Sequence, residues 1–285
     1  MNIEINRKSQ QHFDIPLFLT AYALGVFGVL AVTAATFTSS ADSGTLTTLL
    51  ARVANSYYGR WQGIFLLVSP FAVAGMMALD YRVLGKLSNV LYGAGLLLLV
   101  FVLSTNAISG VKGWFSILWD RTIQPSELVK IAVIIHLAKF LARKENPVEN
   151  VRDFIRLATI IGVPLLLILV QGEMGSAMVF AVFFFAMLFI SGVDIRLILG
   201  IILAGVSVVI PAVFAMRASG SYRFDRILAF FDPTQASADA TYQAANSKVA
   251  IGSGGNYGEG MFQDGSMSAL NFVPQDHTDF VFSAI

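Results

Sequence analysis

Six stretches of this chain run for 16 to 25 residues without a single charge: Ile15–Phe37, Trp61–Leu79, Leu87–Val111, Leu157–Gly172, Met174–Val193 and Leu197–Met216. A helix needs roughly 20 apolar residues to cross the hydrocarbon core of a bilayer. Each stretch is close to that length, which leaves little room for a water-soluble fold. Only 13% of the residues are charged, against about 25% in an ordinary soluble domain. The mean hydropathy of +0.70 agrees. With 19 basic and 18 acidic residues the net charge is +1, so no global field draws in nucleic acid. The absence of cysteine excludes disulfides, thiolate metal sites and a cysteine nucleophile. His12, His136 and His277 are too widely spaced to suggest a metal cluster.

A seventh span is expected over Gln124–Leu141, although it carries Glu127, Lys130, His136 and Lys139. Ionisable groups at membrane depth face the bundle interior or a water-filled cavity and are functional hypotheses by default. Glu127 and Lys130 stand three apart, so they share a helix face and can pair. They read equally well as a structural polar pair or as a site for a polar lipid headgroup or a relay of conformational change. The fold class expected is therefore an all-α polytopic membrane protein with seven transmembrane helices. Short-loop basic residues set orientation. With the N-terminus inside, the inner ends hold ten: Arg7, Lys8, Arg82, Lys86, Lys139, Arg143, Lys144, Arg152, Arg156 and Arg196. The outer loops hold four: Arg52, Arg60, Lys112 and Arg121.

Three regions follow: a transmembrane bundle over 1–216, an extracytoplasmic loop over 217–279, and the start of a further, truncated helix over 280–285. In the loop, Ser221–Phe231 mixes Arg223 and Arg226 with Phe224, Leu228 and Phe231, the pattern of a short amphipathic helix at a membrane surface. Asp232-Pro233 stops it. Six of the fourteen residues from Gly252 to Gly265 are glycine, so this stretch must turn sharply. It fits neither G-x-G-x-x-G nor a P-loop. The apolar run from Phe280 reads as a fragment's edge.

By pattern alone, Asp279 reads first as an N-cap before that run and second as a carboxylate able to take a proton from a hydroxyl. Glu173, at a tight turn between two spans, reads as a cap of the next helix. Lys112, Trp114, Arg217, Arg223, Arg226 and Lys248 place cations and an aromatic at the outer face, as an interfacial belt or a cradle for a phosphate-bearing lipid.

Several ordered motifs resemble the shape, elongation, division and sporulation family of bacterial cell-wall polymerases, the RodA and FtsW type. They are Gly113-Trp114 with Gln124-Pro125-Ser126-Glu127-Leu128-Val129-Lys130, then Gln171-Gly172-Glu173-Met174-Gly175-Ser176-Ala177. The third block is Tyr222-Arg223, Asp232-Pro233, Tyr242-Gln243 and Ala250-Ile251-Gly252-Ser253-Gly254-Gly255. It ends in Val273-Pro274-Gln275-Asp276-His277-Thr278-Asp279-Phe280-Val281-Phe282. Gln275 stands for a usual glutamate, Gly172 for a proline and Glu173 for an aspartate.

The resemblance implies ten spans in a complete member, three more than are present here. It implies an inverting glycosyltransferase that polymerises lipid II at the outer face of the bacterial inner membrane, for elongation or division. Asp279 falls on the family's essential aspartate, and this implied role displaces the capping one. Arg217, Arg223 and Lys248, with Lys112, Trp114 and His277, become substrate-binding candidates. A divalent cation (Mg or Mn) is a possible cofactor; the metal itself is unknown. Lipid II, membrane lipid and a class B penicillin-binding transpeptidase are the implied partners. A lipid II flippase and a non-catalytic scaffold are the alternatives.

Overall fold

The computed structural model describes residues 13–37, 46–105, 112–117, 121–143, 147–263 and 266–285. Arg7, Lys8, His12, Val111, Lys144 and Gly265 lie outside the described residues, as do the side chains of Arg121 and Arg223.

The chain forms α1 (Ile15–Ala35), α2 (Leu46–Asn55), α3 (Tyr57–Ala78) and α4 (Tyr81–Val102), then a hairpin of β1 (Phe115–Ile117) and β2 (Arg121–Ile123). There follow α5 (Pro125–Leu141), α6 (Val151–Gln171), α7 (Met174–Ile190), α8 (Ile195–Ala218), α9 (Tyr222–Phe231), α10 (Ala238–Gly254) and α11 (Val281–Ala284). All seven expected spans are present as α1, α3, α4, α5, α6, α7 and α8, and the all-α polytopic membrane class stands. Five of them are at least 21 residues long and apolar enough to cross a bilayer. α7, at 17 residues, is apolar but shorter, and α5, of equal length, is the polar one.

Several helices begin ahead of the charge-free runs. α4 begins at Tyr81 rather than Leu87, because the Asp80 carboxylate accepts from the Arg82 N–H at 2.8 Å and caps the helix ahead of Arg82 and Lys86. α6 begins at Val151 and takes in Arg152, Asp153 and Arg156. Charge spacing marks what lipid can cover, whereas backbone hydrogen bonding marks the helix. Three elements were not expected: α2, α10 and the antiparallel β hairpin pairing Phe115 with Ile123 and Ile117 with Arg121. The amphipathic helix expected over Ser221–Phe231 is α9. Asp232 ends it in a turn, its carboxylate held below the ordinary range by hydrogen bonds from Thr234 and Gln235.

The structure divides into two compact units, Met1–Met77 with Val213–Ile285, and Ala78–Ala212. The core of the second unit joins Leu99 of α4, Val129, Val133, Leu137 and Leu141 of α5, Leu157 and Ile168 of α6, and Phe180, Phe184 and Leu188 of α7. α4 and α5 approach closely at Gly95, where an added Cβ would lie 3.2 Å from Val129 Cγ2. Small residues of this kind let membrane helices pack backbone to backbone. In the first unit the end of α1 meets the α2–α3 joint: Thr36 Oγ1 and Ser56 Oγ lie 2.9 Å apart. The Arg52 guanidinium sits 5.0 Å from the Phe37 ring centroid and 4.7 Å from that of Phe262.

Gly95→Leu should wedge α4 from α5 and cost about 1–3 kcal/mol. Gly93→Ala, whose Cβ meets nothing within 4 Å, is the control. Thermal unfolding in detergent micelles checks both: a lower midpoint is expected for the first alone.

Candidate active site

Phe272–Phe280 forms a turn in the first unit, anchored at several points. Asn246 of α10 donates through Nδ2 to the Phe272 carbonyl at 3.0 Å, and Val273 is buried. Gln275 takes the left-handed conformation, with φ of 62°. Its carbonyl accepts from the Thr278 backbone N–H at 3.1 Å and from Thr278 Oγ1 at 3.2 Å. The His277 ring lies 4.3 Å from that of Tyr58 in α3, centroid to centroid. The turn thus has fixed inner residues, and it leaves Asp279 exposed, its side chain free of hydrogen bonds and ion pairs among the described residues. The N-cap of α11 is Phe280, with no side-chain cap bond. Asp279 therefore does not cap, contrary to what its pattern alone favoured: the chain turns helical one residue too late for its carboxylate.

Asp276 went unnoticed in the sequence. It is only 4% exposed, and its Oδ2 has no hydrogen-bond partner among the described residues. Its Oδ1 lies 3.6 Å from His277 Nδ1. Burial pushes the Asp276 carboxyl above its ordinary value, and the neighbouring His277 offsets part of that rise. Nothing in the sequence signals this, since Gln275-Asp276 reads as polar loop.

The other candidates are distributed over both units. Arg217 ends α8 and Lys248 lies on α10; both are exposed and make no ion pair among the described residues. Arg223 starts α9. In the second unit Lys112 is exposed and Trp114 is half-buried, its carbonyl accepting from Thr105 Oγ1 at 3.4 Å. Lys130 donates to Glu127 at 2.8 Å, as their spacing predicts; Lys130 is 20% exposed and Glu127 57%. The first unit also holds a cavity of about 440 Å³ between α1, the end of α10 and α11; Phe27, Ser253, Tyr257 and Phe282 are among its lining residues. The glycine-rich stretch turns along it, with Gly255, Gly258 and Gly260 all at positive φ. Asp279 is not in that lining.

Glu173 occupies the N-cap position of α7 but forms no cap bond. Instead, its side chain crosses to α5, where Oε2 accepts from Ser126 Oγ at 2.9 Å. Oε1 is buried without a hydrogen-bond partner among the described residues, packed where a side chain on Gly113 would have to be. Next to it Gln171, 2% exposed, donates through Nε2 to the Leu99 carbonyl at 3.0 Å, and the Gln171 carbonyl accepts from the Lys112 N–H at 3.1 Å. Gly172, at φ of 90°, makes the bend that allows this. Among the described residues no three His, Asp or Glu side chains converge.

Two measurements follow from these geometries. A Cβ on Gly113 collides with Glu173 Oε1, so Gly113→Ala should cost about 1–3 kcal/mol. Adding Glu173→Ala should return part of that loss, read as a coupling term in a double-mutant cycle of unfolding midpoints. For Asp276, the raised folded value means the unfolded chain ionises first. Stability therefore falls as pH rises from the usual 3.8 toward the folded value, and the penalty is complete above it. Asp276→Asn should raise the melting temperature at neutral pH, and the advantage should vanish below about pH 4.

A sequence model of the cell cycle protein family of FtsW, RodA and SpoVE matches residues 15–285. A relative from Geobacter sulfurreducens, named probable peptidoglycan glycosyltransferase FtsW, is 30% identical over 287 residues, covering 99% of this chain and 73% of its own. The crystal structure of Thermus thermophilus rod shape determining protein RodA superposes with a TM-score of 0.50 at 27% identity, over 68% of this chain and 58% of that one. A chain of a peptidoglycan synthase complex shares the fold, with a TM-score of 0.59 at 24% identity, over 81% of this chain and 64% of that one. The chain thus spans less than two thirds of the solved proteins it superposes on. The match extends over nearly the whole sequence, and the chain belongs to the FtsW, RodA and SpoVE family of cell cycle proteins.

Proposed function

We propose that this protein is a peptidoglycan glycosyltransferase that polymerises lipid II at the outer face of the bacterial inner membrane. The observation that carries the reading is Asp279. It is an exposed carboxylate without a hydrogen bond or ion pair among the described residues, at the end of a turn whose other residues are anchored. A relative named probable peptidoglycan glycosyltransferase FtsW, matched over 99% of this chain and 73% of its own, supports it.

The chemistry asked of Asp279 is modest. The acceptor's sugar hydroxyl forms a bond to the donor's anomeric carbon as the bond to the lipid diphosphate breaks, with inversion. One base must take the hydroxyl proton, the logic shared with inverting glycosidases. An exposed carboxylate can then release that proton to water. The diphosphate leaves readily by itself, so cations that stabilise its charge contribute more than a general acid. Among the residues of the first unit, Arg217 and Lys248 are assigned that duty, and His277 contact with the rest of the substrate.

The N-terminus lies inside in this reading, which puts the start of α5 and the α6–α7 bend at the outer end. A class B penicillin-binding transpeptidase is the partner expected to cross-link the strands.

Asp279→Ala in the full-length gene product, supplied with purified lipid II, should abolish glycan chains on a gel while membrane yield is kept. Chains of wild-type length from that variant would remove Asp279 from the mechanism. No chains from the folded wild type with its transpeptidase present would point to transport or scaffolding.

A further inference from the structure

The turn that ends on Asp279 also buries an acid for which the transfer reaction has no evident use. Among the described residues Asp276 Oδ2 has no hydrogen-bond partner, and its Oδ1 lies 3.6 Å from Nδ1 of the next residue's ring. Burying a carboxylate so incompletely paired costs stability, and costs of this kind gather at functional sites. The flat side of the same ring is covered by Tyr58, 4.3 Å away and tilted by 38°. Carboxylate and phenol ring together leave the imidazole little freedom. A carboxylate at Nδ1 also selects the tautomer that carries its proton there, so that Nε2 is left as an acceptor.

We propose that Asp276 is a positioning residue for the glycosyl transfer: it holds His277 by Nδ1 against Tyr58, so that Nε2 accepts a hydrogen bond from a sugar hydroxyl beside Asp279. The assignment rests on the transfer reading given above. It makes Asp276 the origin of a preorganised contact, with Asp279 alone taking the proton.

The test combines a spectrum with kinetics. In the full-length protein labelled with 15N-histidine, the His277 resonances are identified by their loss in His277→Gln. Recorded at alkaline pH on the neutral ring, they should report the Nδ1–H form in the wild type. They should shift toward the Nε2–H form in Asp276→Leu.

Asp276→Asn preserves shape and guards against a folding failure of the leucine variant. It should lower kcat about tenfold, the equivalent of one well-made hydrogen bond, with the melting temperature unchanged or higher. His277→Gln in that background should add no further loss. A purely structural role would lower the melting temperature along with the rate. An unmoved tautomer, a wild-type kcat in Asp276→Asn, or losses that multiply in the double variant would each overturn the proposal. A wild-type protein that makes no glycan would overturn the transfer reading itself. An active wild type with an unmoved tautomer would overturn the role of Asp276 alone.

Discussion

Glu173, buried between Gly113 and Ser126, is the contact around which the second unit is organised. Helix ends leave carbonyls and N–H groups without intrahelical partners, and a bilayer offers no water to satisfy them within its core. Here the ends satisfy one another. The Leu99 carbonyl in the last turn of α4 accepts a hydrogen bond from the Gln171 side-chain amide, and the Gln171 carbonyl at the end of α6 accepts one from the Lys112 N–H. The Glu173 carboxylate lies at the starts of α5 and α7, where the helix dipole favours negative charge. Gly113 leaves room for it and Gly172 supplies the bend. Four helix ends are thereby tied at one end of the unit, next to Lys112 and Trp114.

The first unit handles its carboxylates differently. In one short turn Asp276 is buried and Asp279 exposed. The two have the same chemistry in isolation, and environment divides them: burial raises the proton affinity of the first, while the second remains open to solvent. Such separation of neighbouring acids is how one segment can hold a positioning group and a base together. The left-handed Gln275 and the Thr278 bonds to its carbonyl set the alternation.

Much of the fold was legible because spanning length is a local property. A run without charges long enough for lipid must be helical, and each such run corresponds to a helix. The boundaries were less legible, since a capped helix can extend past charges into the interface, as at Asp80 and Arg82. α10 was missed because its Ala, Ser, Asn and Gly composition has no apolar stripe to announce it; contact with α9 and α11 holds it instead. Of the site, Asp279 was named through its motif. Glu173 was read as a cap because its position is that of a cap, and only the neighbouring Gly113 and Ser126 draw its side chain elsewhere.

The sequence by itself determined that this chain is a multi-pass membrane protein and which family motifs it carries. Those follow from charge spacing and residue order along a single strand of text. Tertiary structure alone decided which polar groups meet. Ser126 and Glu173 are 47 residues apart, and Leu99 and Gln171 are 72 apart. Burial is likewise a property of the assembled chain, so Asp276 and Asp279 look alike in sequence and part company only when the turn closes. A hydrogen bond depends on distance in space, and no local pattern encodes that distance.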